Sequence, residues 1–288
     1  MRPRSEIRVE RPSSLSGALE HLSSREASAR PVAGATDVSI MLRSGAIEEP
    51  ELLDLSGLGE LRYVRGAEDG QLEVGALATF SDLLGSGLVR SAAPLLAAAA
   101  RSVGSPQIRN LATLAGNVCT ASPAGDGILP LRVLGATIRL VSAGGARDVP
   151  IEDFLVGPHR TARRPDELVA SILIGAQPPG YRWFFRKLGP RSANAISVAS
   201  VAGIIGVRGG AVEDARIALG AVAPTVIRSR RAEASLVRRE LTEDSMWDAA
   251  LAAAEESSPI SDVRGSAEYR RMAVAGLLYR ALEEVARA

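Results

Sequence analysis

The run Asn110-Leu-Ala-Thr-Leu-Ala-Gly-Asn-Val-Cys-Thr-Ala-Ser-Pro-Ala-Gly-Asp126 constrains this chain more than any other feature, because it brings small residues, hydroxyls and one carboxylate into a single loop-like stretch. A backbone so lightly covered lets its N–H groups approach phosphate oxygens, whereas larger substituents at Cβ hold them off. The run reads as a cradle for a large, phosphate-bearing cofactor.

The rest of the sequence narrows the context of such a cradle. A chain of 288 residues, 46% of them hydrophobic, has room for two domains and a full core. A net charge of +1 and few aromatic residues give neither the basic field nor the stacking surface of a nucleic-acid binder. Met1-Arg-Pro-Arg-Ser-Glu6 is basic, but no apolar segment of signal-peptide length follows it. Pro94 to Ala100 stops at Arg101, so no run reaches membrane-spanning length, and the expected location is cytoplasmic with no integral membrane segment. Cys119 is the single cysteine, which excludes an internal disulfide framework. It also excludes a self-contained iron–sulfur cluster, which takes about four cysteine ligands, so any such centre must sit in a partner. His21 and His159 are too isolated to form a metal pair and read as solvent-facing, and Cys119, with no activating neighbour, reads as a packing residue.

Helix and strand signals alternate along the chain. Ser14 caps a short helix with Leu15, Ala18 and Leu22 on one face, and Pro31 to Ala33 reads as a buried strand entering Gly34. Val38, Met41 and Leu42 share a helical face ending near Gly45, and Glu51 to Leu55 reads as a strand. Asp69-Gly70 between two strand-like runs predicts a hairpin. Two helices follow, near Thr79–Leu84 and Pro94–Val103, then the small-residue run, a strand at Ala136–Val141, a Gly144-Gly145 turn and a return strand. Leu168 to Ile174 reads as a strand broken by Gly175-Ala-Gln-Pro-Pro-Gly180, which places the domain division there. Beyond it come strands at Ser197–Val207 and Val212–Ala221 and helices from about Ser229, Thr242 and Ala267. Arg228-Ser-Arg-Arg231 and Arg238-Arg239 read as a solvated basic face.

Pro31-Val-Ala-Gly-Ala-Thr-Asp-Val38 is a second segment suited to phosphate, with Gly34, Ala35 and Thr36 between a strand and a helix. Alone it equally describes an ordinary strand-to-helix turn capped by Thr36 or Asp37. Two such segments can hold a long dinucleotide from different sides. The standard fingerprints are absent, since Gly57-Leu-Gly59 and Gly85-Ser-Gly87 each meet an arginine, Arg62 and Arg90, where a third glycine belongs. The only lysine, Lys187, follows no glycine-rich loop, so a Walker site is absent as well.

Taken in order, Ala33-Gly-Ala-Thr-Asp37, Thr113-Leu-Ala-Gly-Asn117 continuing to Thr120-Ala-Ser-Pro-Ala-Gly-Asp126, Arg186-Lys-Leu-Gly-Pro-Arg191 with Ala195-Ile-Ser197, and Asp262-Val-Arg-Gly-Ser-Ala-Glu-Tyr-Arg270 carry a family resemblance. Over essentially its full length the chain resembles the FAD-binding medium subunit of molybdenum hydroxylases, the group of xanthine dehydrogenase and aerobic carbon monoxide dehydrogenase. The resemblance implies an α+β fold: a split FAD-binding domain of the vanillyl-alcohol-oxidase (PCMH) type over residues 1–176, subdivided near residue 56. A C-terminal α+β domain of the CO dehydrogenase flavoprotein type would occupy 177–288. It implies that Val32, Ala33, Gly34, Ala35, Thr36, Asp37 and Val38, with Thr113, Leu114, Ala115, Gly116 and Asn117, hold the pyrophosphate and approach the flavin. Ser122, in the turn leading to Asp126, is implied as a further cofactor-binding residue.

Asp126 would then accept hydrogen bonds from flavin-side hydroxyls, while by sequence alone it serves equally as a helix N-cap before Ile128. Val169 matches a backbone contact to the flavin ring, with core packing as the alternative. Lys187 matches a position near the ring, where a cation favours negative charge developing on reduction; a solvated strand-end lysine is the alternative. Ala35 and Ala115 stand where the family more often has glycine, and a φ above zero at either costs roughly 1 kcal/mol. The implied activity is that of an FAD-carrying electron-transfer oxidoreductase subunit. It would receive electrons from 2Fe–2S clusters in a small subunit, fed by a molybdenum-cofactor large subunit, in a dimer of heterotrimers, and pass them to an external acceptor. A stand-alone FAD oxidoreductase and an assembly subunit that has lost FAD are the alternatives.

Overall fold

The computed structural model describes residues 7–24, 28–47, 49–191 and 194–287, so the Met1–Glu6 reading lies outside the described residues. A first unit is built from β1 (Arg8–Glu10), α1 (Leu15–Ser23), β2 (Ala29–Val32), α2 (Val38–Ser44) and β3 (Glu51–Asp54). Its strands form a parallel sheet in the order β1-β3-β2. Ser14 Oγ accepts the Gly17 N–H at 3.1 Å and starts α1, which buries Ala18 and Leu22 on the face the spacing predicts. Strand β1 has no counterpart in the sequence reading, because its residues are all exposed and it exists only through pairing with β3.

A second unit has an antiparallel sheet in the order β4-β5-β10-β6-β7. The hairpin β4 (Val64–Gly66) and β5 (Leu72–Gly75) turns at Gly70, whose φ of 72° is the left-handed value the Asp-Gly signal requires. The chain then runs through α3 (Phe80–Gly85), α4 (Gly87–Ala92), α5 (Pro94–Ser102), α6 (Pro106–Arg109), α7 (Leu114–Thr120) and α8 (Ile128–Val133). It returns to the sheet as β6 (Thr137–Ser142) and β7 (Gly145–Pro150). After α9 (Ile151–Phe154) and the short pair β8 (Leu155–Gly157) and β9 (Arg160–Thr161), it finishes the sheet with β10 (Leu168–Ile174). The expected helix pair is thus a set of four, with Ser86 Oγ capping the unforeseen α4 and Ser105 Oγ the unforeseen α6.

The C-terminal sheet, in the order β11-β12-β13-β14, is antiparallel: β11 (Arg182–Leu188), β12 (Ala199–Arg208), β13 (Ala211–Gly220) and β14 (Ile227–Arg228). Helices α10 (Arg230–Leu236), α11 (Glu243–Glu256) and α12 (Ala267–Arg287) follow. Thr242 starts α11 through a capping box with Ser245. Alternation along β12 sends Val201 and Ile205 toward these helices and Ala202 and Ile204 into the core of the preceding sheet. Both faces of β12 are therefore buried, which is why it reads as a nearly unbroken apolar run. Helices α5 and α8 pack against β11, β12 and β13, so the helical layer of the second unit abuts the C-terminal sheet directly.

Glu167, before β10, shows how charge is buried near this core. It accepts from Arg147 Nε at 2.6 Å, Arg147 Nη2 at 2.9 Å and the Arg164 N–H at 2.7 Å, and only 3% of it is exposed. The Arg147 guanidinium outweighs burial and holds the carboxyl below its ordinary range. A carboxyl lowered in the folded chain contributes stability above its unfolded value of about 4.3 and loses it as pH falls through the folded one. The thermal midpoint is therefore expected to fall on acidification below about pH 4.5, with a shallower acid limb for Glu167→Gln. Parallel acid limbs for both proteins would rule out this role.

Candidate cofactor site

Strand β2 delivers Val32, buried, and the chain turns through Ala33 to Asp37 before α2 begins at Val38. Ala35 has a φ of 56°, the left-handed conformation that an L residue adopts at a cost of roughly 1 kcal/mol. Among the described residues, the backbone N–H groups of Gly34, Ala35, Thr36, Asp37 and Val38 donate to no protein acceptor. A left-handed residue inside such a turn directs successive N–H groups into one concavity, the geometry of an anion nest. The capping role suggested for Asp37 is not seen. Its side chain makes no cap bond and instead accepts from Thr120 Oγ1 at 2.7 Å.

The second segment corrects the loop-like reading, since Leu114 to Thr120 is the helix α7. Thr113 is its N-cap, Oγ1 accepting the Gly116 N–H at 2.9 Å, and a Cβ at Gly116 would lie 2.9 Å from that oxygen. The Phe80 N–H donates to Ala112 O at 2.9 Å and the Leu114 N–H to Ala78 O at 3.2 Å, fixing the helix start to the chain before α3. Leu114 and Ala115 are buried in the core. Ala115 is helical and absent from the positive-φ residues, so the strain considered for both alanines exists only at Ala35. The N–H groups of Thr113 and Ala115 meet no described acceptor, and the buried Asn117 Oδ1 has none either. Cys119 is exposed rather than packed.

Close backbone contact joins the two segments. A Cβ built on Gly34 would lie 1.7 Å from Leu111 O, so only glycine lets the first turn reach the chain before α7. The Asp37–Thr120 bond ties the other end. His159 closes over the end of α7, its N–H donating to Ala121 O and its Nδ1 lying 3.0 Å from Thr120 O. His21 is also engaged, with Nε2 2.5 Å from Glu51 Oε1.

A third group completes the site. The turn from Ser122, whose Oγ accepts the Ala124 N–H, presents Asp126, 7% exposed, to the C-terminal sheet. Asp126 Oδ2 lies 2.5 Å from Lys187 Nζ on β11, and Oδ1 accepts from Ser197 Oγ at 2.9 Å. The N-cap position of α8 is Gly127 and carries no side-chain cap, so Asp126 is not a helix cap. Lys187 is not a solvated lysine, since its side chain is 13% exposed. Its charge is already compensated by Asp126, so the pair offers a dipole rather than a free cation. Burial pushes the Asp126 carboxyl up, against the pull of Lys187 and Ser197. Val169 lies on β10 beside a bulge, its side chain in the core. Sequence reasoning singled out Ser197 only as part of a motif. Thr120 and Leu111 carried no signal of their contacts, because their partners lie far away in the chain.

These donors fit a pyrophosphate-bearing flavin nucleotide: a nest of free N–H groups, an orphaned amide oxygen, and glycines at close backbone approaches. The comparisons agree. The pattern of the FAD binding domain in molybdopterin dehydrogenase matches residues 5–176, and that of the CO dehydrogenase flavoprotein C-terminal domain matches residues 184–285. The glyceraldehyde dehydrogenase medium chain of Sulfolobus acidocaldarius is 36% identical over 276 residues, covering 96% of this chain and 97% of that one. The carbon monoxide dehydrogenase medium chain of Afipia carboxidovorans is 32% identical, covering 95% and 94%. The solved structure of reconstituted CO dehydrogenase from Oligotropha carboxidovorans superposes with a TM-score of 0.93 at 30% identity, covering 98% of each chain. Fold and site define an FAD-binding oxidoreductase subunit with the expected α+β architecture. The chain belongs to the FAD-binding medium subunits of the molybdenum hydroxylase family, and FAD is its cofactor.

Among the described residues no helix is long and apolar enough to cross a membrane. Nor does any group of three or more His, Cys, Asp or Glu among them stand ready to hold a metal.

Proposed function

We propose that this chain holds FAD between the Val32–Val38 turn and the start of α7, Thr113–Asn117, with Ser122, Asp126, Val169 and Lys187 along the flavin side. The run of unpartnered N–H groups from Gly34 to Val38, locked against the backbone of Leu111, carries this reading. When bound, FAD supplies a junction between single-electron and electron-pair transfer. The protein binds and orients it, excludes water through Leu114 and Phe80, and fixes a Lys187–Asp126 dipole beside it. In this reading residues 1–176 form the FAD-binding unit and 177–288 the C-terminal unit. The chain assembles in the cytoplasm with an iron–sulfur small subunit and a molybdenum-cofactor large subunit as a dimer of heterotrimers. Relatives named as medium chains and FAD-binding subunits support the assembly.

Purified chain incubated with FAD is expected to retain yellow flavin absorbance after desalting. Tagged chain from its native host is expected to bring down molybdenum- and iron-containing subunits. A colourless protein defeats the cofactor site. Yellow protein that turns over an organic substrate without partners favours a stand-alone oxidoreductase.

A further inference from the structure

The motif Asp262-Val-Arg-Gly-Ser-Ala-Glu-Tyr-Arg270 contributes nothing to the cofactor segments themselves, yet it is built around a buried guanidinium. Asp262 and Gly265 close a tight turn through reciprocal backbone bonds, and Asp262 Oδ1 accepts the Arg264 N–H at 2.8 Å. Ser266 begins α12, whose first turn points Arg270 inward with 3% of it exposed. Arg270 Nη2 donates to Asp262 Oδ1 at 2.6 Å, and Nη1 donates to Val198 O at 3.0 Å and Ala221 O at 2.7 Å.

Both carbonyls belong to segments that hold Asp126. Val198 follows Ser197, the donor to Asp126 Oδ1. The Ala221 N–H donates at 2.7 Å to Pro123 O, in the turn that presents Asp126, and Ala221 is kept at a left-handed φ of 62°. One rigid fork therefore fixes the hydroxyl that orients the carboxylate and the turn from which it projects. An ammonium on a flexible stem cannot satisfy the same acceptors in that geometry.

We propose that Arg270, held by Asp262, is a positioning residue for the Asp126 carboxylate, setting its approach to the cofactor across the domain junction. The inference rests on the reading that Asp126 faces FAD. FAD affinity of the full chain is measured by flavin fluorescence for wild type, Arg270→Lys, Asp126→Asn and the double variant. Arg270→Lys is expected to weaken FAD about tenfold when Asp126 is present and less than about twofold in the Asp126→Asn background, the signature of coupled residues. Equal losses in both backgrounds mean a general softening of the fold and overturn the proposal. So does an unaltered affinity for Arg270→Lys when Asp126→Asn alone weakens binding. An Asp126→Asn variant that binds FAD as wild type removes the site reading and the proposal with it. If Arg270→Lys does not fold, Asp262→Asn takes its place in the same cycle, with the same expected pattern.

Discussion

Gly34→Ala is expected to reduce FAD affinity by about 100-fold, or about 3 kcal/mol. The new methyl would sit 1.7 Å from Leu111 O and 2.5 Å from Leu111 C, both backbone atoms. That backbone cannot yield easily, since the Leu111 and Ala112 N–H groups donate to Ile108 O and Ala112 O accepts the Phe80 N–H. The first turn must instead withdraw by on the order of 2 Å to restore van der Waals distance. The nest of N–H groups then no longer faces the same point as the start of α7. Ala35→Gly is the control, because it relieves about 1 kcal/mol of left-handed strain while adding a similar entropy to the unfolded chain. It should melt within about 2 °C of wild type and keep its FAD affinity. Titration of the apo chain checks both variants, and wild-type binding by Gly34→Ala would show that the two segments do not act together.

Much of this site was legible because its parts are local. A small-residue turn after a strand, an Asp-Gly hairpin and a threonine before a helix each state their geometry within a few residues. The contacts between distant segments were not legible, because nothing in a sequence says that Gly34 meets Leu111, that Asp37 meets Thr120 or that Asp126 meets Lys187. Asp126 is the instructive case. Its position before Ile128 fits a cap, but tertiary structure brings a cation and a hydroxyl to it from the C-terminal sheet, and both of its oxygens are taken up by Lys187 and Ser197 instead. The alanines divide for a related reason. Ala115 falls one residue into α7, where Cβ is harmless, while Ala35 falls in a turn whose handedness the nest requires.

Lys187→Met is expected to destabilise the apo chain by about 3–5 kcal/mol at neutral pH, the usual cost of stripping one partner from a buried ion pair. It leaves Asp126 with only the neutral hydroxyls of Ser197 and Ser102 in a site where burial already pushes the carboxyl up. A carboxyl raised in the folded chain keeps its proton at pH values where the unfolded chain has released it. The penalty of ionising it is therefore absent below the unfolded value and fully present above the folded one. The melting deficit of Lys187→Met should accordingly widen as the pH rises from about 4 to neutrality, whereas Asp126→Asn/Lys187→Met, which buries no charge at either position, should recover much of the loss and show no such widening. At neutral pH the single variant should melt roughly 6–12 °C lower, and the double variant should lie between it and wild type. Differential scanning calorimetry across that pH range decides the matter. A single variant that melts with wild type at every pH would mean that the Lys187–Asp126 contact carries no weight in joining the C-terminal sheet to the cofactor turn.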